Sequence, residues 1–438
     1  MTLLHSNYGR WRADPSRVLL SSSAKPGQDS SLSKLGFALL WLFVFAVPME
    51  NVLVLPGIGT IGRLIGLLAL PFCVAAIVDR GWLRSLSPIH GIMAMYVFWV
   101  CLTYIWSVEP VRTLSTISTC IELFVMVWLL WQLAARRERQ LALLKAFVSG
   151  AMVSSVATLT IEMADRPAAF GFDPNDLALA LALSVPMSLY LAEFERGLLR
   201  RMIYRFQTVV AIAAVFMTGS RGAALALGAA LMLIPLNFLR WSIRQRREVS
   251  LVLLLALGAA VLFVPATSWK RVASTADEIF EGSLNQRRLI WQAGWEVFRE
   301  HPFLGVGASA FGSTAERHFA PASSGELVAH NTFLSVLFEG GVVGFSIYII
   351  LLLAMIFAAL QMPRPERNLW LVSLLTWGIG VCGLTWEYRK PTWFLFGMLT
   401  VWAAGSIRVR QQLISRFRVH LPRPGEPPWE GRHAVLGP

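Results

Sequence analysis

A string of apolar windows, each close to twenty residues long and separated by short arginine-bearing loops, limits this chain more than any other feature. Crossing the hydrocarbon of a bilayer takes about 20 apolar residues in a helix. Composition agrees, since 55% of the 438 residues are hydrophobic and 15% are charged, against about 25% charged in a soluble domain. The chain is therefore predicted to be all-α and polytopic, with about twelve transmembrane helices. The windows fall near 35–54, 57–78, 89–107, 114–134, 140–162, 176–194, 203–219, 222–240, 249–267, 331–360, 368–386 and 391–407.

Orientation follows from the basic residues. The net charge is +13, but the basic residues come in short clusters between spans, which points to a lipid bilayer and away from nucleic acid. With the N-terminus in the cytoplasm, the inner loops collect Arg80 and Arg84, then Arg136, Arg137 and Arg139, then Arg196, Arg200, Arg201 and Arg205. Arg240, Arg244, Arg246 and Arg247 follow, then Arg364 and Arg367. With Arg10, Arg12, Arg17, Lys25 and Lys34 and the six arginines after Ile407 included, roughly 26 basic residues fall inside against roughly 13 elsewhere, and a shift by one span would spoil the alternation. The expected organisation is a disordered cytoplasmic tail (1–34), helices one to nine (35–267) and a long periplasmic loop with an amphipathic helix (268–330). Helices ten to twelve (331–407) and a cytoplasmic tail (408–438) complete it. No cleavable signal is read, so Leu35 onward is expected to act as an uncleaved anchor. Cys73, Cys101, Cys120 and Cys382 lie in or beside apolar spans without a CxxC pair, which argues against disulfide and zinc frameworks.

The polar residues of interest gather on the predicted outer face. Arg221 occupies the tight junction "TGSRGAALALG"; in plain structural terms it snorkels to headgroups, yet the Gly-Ser-Arg-Gly turn fixes its place. Arg287 and Arg288 open "NQRRLIWQAGWEVFREHPFLGVG", in which Ile290, Trp291, Gly294, Trp295 and Phe298 fall near helical spacing. This reads as an amphipathic helix on the membrane surface, with a packing helix as the alternative. The paired arginines oppose the helix dipole, which hints at an anionic partner. In "GFDPNDLALALALSVP", Asn175 or Asp176 could cap a helix, while Asp173 and Asp176 could instead accept hydrogen bonds from hydroxyl groups or balance the arginines. His330 stands at the outer end of the tenth span, with Asn331 or Thr332 as the cap, and can titrate near neutral pH. As one helix, 331–360 would be about 45 Å long, longer than the roughly 30 Å core, so it must tilt or break at Gly340-Gly341. Glu339 within it should face a cavity and pair with an arginine. The picture is a polar cavity lined by Arg221, Arg288, His330 and Glu339, open toward the lipid.

Two familiar chemistries are excluded here. "GVGASAFG" follows a proline rather than a strand and faces a compartment without nucleotide triphosphates, so it is not read as a phosphate loop. His301, His318, His330, Glu296, Glu300, Glu316 and Glu326 contain no HExxH or comparable pair, so neither metal nor other cofactor is expected. A transporter would carry ionisable groups near the midplane and often show repeat symmetry. Polar groups concentrated at the outer boundary suit an enzyme acting on a membrane-embedded anionic substrate better.

Three stretches in order, "TGSRGAALAL", "RRLIWQAGWEVFREHPFLGVGASAFG" and "AHNTFLSVLFEGGVVGF", preceded by "DPNDLALALALSVP", resemble the O-antigen ligase and polymerase superfamily over roughly residues 165–350. The resemblance implies metal-independent, inverting glycosyl transfer on the periplasmic face of the bacterial inner membrane. The implied donor is a glycan on undecaprenyl pyrophosphate, and the acceptor is a glycan or lipid A-core, with lipid A-core favoured. A polymerase of the same superfamily, or a lipid or polysaccharide transporter, is the alternative. Carried over by residue, His330 matches the histidine that would activate the acceptor hydroxyl. Arg221 and Arg288 match the arginines that would hold the pyrophosphate, with Arg287 an adjacent candidate. Asp173, Asn175, Asp176, Asn331 and Glu339 complete the candidate substrate-binding set. Topology is the first thing to test: a reporter fused after Arg247 should read cytoplasmic and one inserted near Ser324 periplasmic. If both report the same side, the assignment of spans fails.

Overall fold

In the computed structural model, residues 30–52, 54–55, 59–161, 168–171, 173–233, 242–275, 287–316 and 327–419 are described. Both predicted tails fall largely outside these, as do residues 234–240 of the eighth predicted span and His318 and Glu326 of the long loop. Fifteen helices account for nearly all the regular structure among the described residues. They are α1 (Ser31–Ala46), α2 (Ile61–Asp79), α3 (Pro88–Leu102), α4 (Pro110–Leu133), α5 (Arg137–Leu159), α6 (Pro174–Phe194), α7 (Leu198–Met217) and α8 (Arg221–Leu233). There follow α9 (Ile243–Phe263), α10 (Ala266–Ala273), α11 (Arg287–Glu300), α12 (Phe311–Ala315), α13 (Thr332–Leu360), α14 (Arg364–Val381) and α15 (Lys390–Val419). A hairpin of two residues per strand, Val54–Leu55 against Gly59–Thr60, is the exception to the all-α expectation.

Each of the twelve predicted windows coincides with one of these helices. Seven of the described helices are long and apolar enough to cross a membrane: α2 to α6, α13, and α1 with the turn that follows it. The pair α9 and α10, bent by 115°, makes an eighth if taken as one span. The helices that fall short are not weakly formed. α7 opens with Arg200, Arg201 and Arg205, and α14 with Arg364, Glu366 and Arg367, so charge at their ends dilutes the apolar run. α15 continues past its predicted end at residue 407 to Val419. The added stretch, RVRQQLISRFRV, contains neither glycine nor proline and is rich in Arg, Gln and Leu, which helices accommodate well.

The helices pack pairwise around one core, α1 along α2, α6 along α7, and α13 against α3, α11 and α14. Trp370, Trp386, Trp393 and Trp402 are wholly enclosed within it. The basic loops lie against neighbouring helices. Arg80 donates to the Gln132 carbonyl at 2.7 Å, and Arg84 stacks on Trp131. Arg137 joins Glu366 at 2.8 Å while lying over Trp402. Such contacts satisfy carbonyls at helix C-termini, where cations are favoured.

Of the two options left by its length, tilt or break, α13 shows a break. Gly341 has φ +63° and ψ −171°, a conformation essentially confined to glycine. The break frees backbone groups that the membrane interior would leave unsatisfied, and residues 302–307 supply the partners. Val342 N donates to Pro302 O at 2.9 Å and Val343 N to Phe303 O at 3.3 Å. In return, Val306 N donates to Phe338 O at 3.2 Å and Gly307 N to Glu339 O at 3.0 Å. Trp99 Nε1 completes the set by donating to Gly340 O at 2.9 Å. The glycines of "GVGASAFG" thus serve close backbone approach: a Cβ on Gly305 would lie 2.3 Å from Glu339 O.

The buried face of α11, Ile290, Ala293, Gly294 and Val297, packs on α13, where a Cβ on Gly294 would lie 2.2 Å from Phe338. Its other side, with Leu289 and Trp295, is exposed. The break at Gly341 makes a specific prediction. A Cβ there would stand 2.2 Å from Phe303 O, so Gly341→Ala should destabilise the purified protein by at least about 2 kcal/mol or keep it from accumulating in membranes. Gly258→Ala in α9, where a Cβ meets nothing within 4 Å, should leave the thermal midpoint unchanged.

Candidate functional site

The end of the bundle that carries His330 also carries the first turns of α6, α13 and α15 and the segment that joins α14 to α15. His330 has φ +46°, uncommon for a residue with a side chain and worth about 1–3 kcal/mol of strain. Its neighbours on both sides are tied down. Ala329 O accepts from Trp291 Nε1 of α11 at 2.8 Å. Asn331 caps α13, its Oδ1 accepting from Phe333 N at 3.0 Å and Leu334 N at 3.2 Å. Thr332 Oγ1 donates to Leu384 O and accepts from Trp386 N, both at 2.8 Å. The imidazole is therefore presented from a backbone fixed by α11 on one side and by the α14–α15 junction on the other.

The charged groups that act on His330 are Arg287 and Asp173. Burial, first, and the Arg287 charge, second, lower its pKa below the ordinary histidine value, and Asp173 opposes them. Both causes favour the neutral ring. Of the paired arginines, Arg287 is half-buried and Arg288 exposed. Arg287 lies against the α14–α15 junction, its Nη1 3.2 Å from where a Cβ on Gly383 would be. Arg221 is the first residue of α8, half-buried, after a turn in which Gly219 takes φ +62°. That turn is pinned by Ser268 Oγ, which donates to Met217 O at 2.9 Å.

The Asp-Pro-Asn-Asp stretch divides its labour differently from the expectation. Asp173, rather than Asn175 or Asp176, is the cap: its Oδ1 accepts from Asn175 N at 2.8 Å and Asp176 N at 3.4 Å, with Pro174 in the first helical position. Asp176 is left for tertiary contacts. It accepts from Trp386 Nε1 at 2.8 Å and pairs with Arg389 at 3.1 Å. Beside it Lys390 pairs with Glu50, which also accepts from Thr60 at 3.1 Å.

Glu339 departs from the expected arrangement. It is buried, and its Oε2 accepts from Ser309 N at 2.7 Å; among the described residues no arginine is within ion-pair distance of it. Ser335, one turn earlier on α13, donates to Glu387 Oε1 at 2.6 Å. Burial raises the Glu387 carboxyl above its ordinary range. The cavity at Glu339 is small, lined by Tyr96, Trp99, Thr103, Gly340 and Tyr388 among others, and His330 is not among its walls. That pocket does not reach His330, and Glu339 meets the loop seated in the break of α13 in place of an arginine.

Arg389, Trp386 and Glu387 were not singled out from the sequence, although "TWEYRKP" offers a signal. Three charges in so short a junction between two apolar windows are unusual in a membrane protein, and such residues are functional candidates by default.

A family profile described as O-Antigen ligase matches residues 206–349, a range that contains Arg221, Arg287, Arg288, His330 and Glu339. An O-antigen ligase of Pseudomonas aeruginosa is 27% identical over 349 residues, which cover 75% of this chain and 80% of that protein.

Proposed function

We propose that this chain is an O-antigen ligase-type enzyme, as the profile match over residues 206–349 and the 27% identical relative support, and that it transfers a glycan from undecaprenyl pyrophosphate to a hydroxyl of lipid A-core. The reaction takes place on the periplasmic face of the bacterial inner membrane, across which the twelve apolar helices pass with both termini in the cytoplasm. His330 Nε2 or Nδ1 takes the proton as the acceptor oxygen attacks the anomeric carbon. The bond between that carbon and the pyrophosphate oxygen breaks on the opposite face, which inverts the centre. Arg221, Arg288 and the adjacent Arg287 take up the charge that develops on the leaving pyrophosphate, where planar guanidinium groups match phosphate oxygens. Neither metal nor nucleotide enters, since the activation already resides in the lipid-linked donor.

The observation that carries this reading is His330 itself. It is a histidine with positive φ, anchored on both flanks, with a depressed pKa and a cationic neighbour. A general base must be neutral when the hydroxyl attacks, and burial together with Arg287 favours that form. Asp173 and Asn175 at the exposed start of α6, and Asn331 beside the histidine, are placed to contact sugar hydroxyls. Glu339 supports the site from below by holding Ser309.

Purified protein in detergent should transfer glycan from an undecaprenyl-pyrophosphate donor to lipid A-core without ATP and with a chelator present. Glycan added to another lipid-linked repeat would instead mark a polymerase, and lipid translocation without a glycosidic product a transporter. In that assay His330→Gln, which can hydrogen-bond but is a poor proton acceptor, should lose about 10²–10⁴-fold in turnover. Arg288→Lys should recover only part of what Arg288→Ala loses, because the charge returns without the bidentate fork.

The pH profile offers an independent check. Activity should fall as pH drops through the His330 pKa, which is depressed, so the acid limb lies below about 6.5. Arg287→Gln removes one lowering influence and should move that limb to higher pH. An acid limb unmoved by Arg287→Gln and retained in His330→Gln would assign the titration to another group.

A further inference from the structure

The segment joining α14 to α15 holds a second arginine site opposite the one formed by Arg287. Arg389 is anchored at one point and open elsewhere. Asp176 Oδ2 holds its Nη2 at 3.1 Å, while the arginine side chain remains 57% exposed and the aspartate side chain 17%. A guanidinium carries five N–H donors in a fixed fork. Among the described residues Asp176 is the side chain that engages it, so its remaining donors face outward. Lys390 next to it is committed to Glu50. Arg389 is thus the cation of this pair with hydrogen-bonding capacity to spare.

Its anchor is built with more care than a surface ion pair requires. Exposed pairs contribute little to stability, about 0–1 kcal/mol. Yet Asp176 is fixed twice over, in the first turn of α6 and by the indole of Trp386, which donates to Oδ1 at 2.8 Å and is itself buried. The backbone N–H of Trp386 reaches Thr332 Oγ1, two residues beyond His330. At the far end of the same short segment the guanidinium of Arg287, from α11, lies against Gly383. One junction therefore bears Arg389, lies beside Arg287 and is bonded to Thr332 near the histidine.

We propose that Arg389 is a further phosphate-binding residue for the diphosphate of the lipid-linked donor, and that Asp176 is the positioning residue that aims its guanidinium. This rests on the functional reading given above. The substrate class it recognises is a polyprenyl diphosphate ester, whose diphosphate offers oxygens enough for more than one bidentate arginine. Asp176 on this account does not bind sugar hydroxyls, because both its oxygens are occupied by Trp386 and Arg389.

The test uses the full-length protein in detergent and two probes, undecaprenyl pyrophosphate and undecaprenol. Arg389→Gln keeps an N–H donor for Asp176 but removes the charge and the fork. Affinity for undecaprenyl pyrophosphate should fall about tenfold, the loss of one charge-assisted contact, with undecaprenol binding unchanged. The donor KM should rise by a similar factor. Arg389→Lys should fall between Arg389→Gln and wild type, and it serves as the readout should the glutamine variant not reach the membrane. Asp176→Asn keeps the acceptor for Trp386 and frees the guanidinium, and should raise donor KM more than it lowers kcat.

Wild-type affinity for the diphosphate in both Arg389 variants would overturn the inference. So would equal weakening toward both lipids, which marks a merely structural pair. If wild-type protein binds neither lipid, the functional reading fails and this inference with it. If wild type binds the diphosphate and the Arg389 variants bind it equally well, only the inference fails.

Discussion

The seating of residues 302–307 in the break of α13 holds the candidate site together. A 29-residue apolar helix interrupted at Gly341 exposes carbonyl and N–H groups at a depth where water is not available to satisfy them. The loop supplies four backbone hydrogen bonds, and Trp99 supplies a fifth. Everything nearby inherits its position from that repair. Ser309, also with positive φ, presents its N–H to Glu339. Thr103 and Thr113 bind the backbone of Ala308 from α3 and α4. α11, immediately before the loop, is thereby pressed onto Phe338, and its first residue, Arg287, is carried to the edge of the His330 site.

Polar groups are distributed between two levels with different electrostatics. At the surface level, Arg287 and Asp173 act on His330, while Arg389 pairs with Asp176 and Lys390 with Glu50, and several of these groups are half-exposed. Water screens these groups, so a bound diphosphate can compete for the cations. One turn deeper, Glu339 and Glu387 are enclosed with Ser335 among aromatic rings. Buried polar groups of this kind hold geometry when satisfied and cost free energy when not. The deeper level fixes the junction that bears Trp386 and Arg389, and the upper level is left to meet a ligand.

The opposite end of the bundle is arranged by another rule. There the arginines lie against helix C-termini and aromatic faces, as in Arg80 with Gln132, Arg84 with Trp131 and Arg137 with Glu366 and Trp402. These clusters are the ones that the sequence assigns to the cytoplasm. Their contacts also reach across elements, from Arg80 to Gln132 and from Arg137 to Glu366.

Each predicted window overlaps a described helix, seven of them long and apolar enough to cross a membrane, because hydropathy is a property of the local sequence: about twenty apolar residues in lipid have no lower-energy option than a helix. The break at Gly340-Gly341 was legible for the same reason, since length and paired glycines are both local. His330, the Arg-Arg pair and the Asp-Pro-Asn-Asp stretch were legible as polar groups at span ends. Their partners were not. That Asp173 caps while Asp176 reaches Arg389, that Arg287 rather than Arg288 bears on His330, and that Glu339 turns inward to Ser309 depend on contacts between residues up to about two hundred positions apart. The same holds for α11, whose apolar face suits a bilayer surface or a neighbouring helix equally well until Phe338 is brought against Gly294. Sequence determined which segments leave water and where charge must lie on the membrane normal. Tertiary structure alone decided which charges meet, because hydrogen bonds and ion pairs are short-ranged and the chain records no distance between its spans.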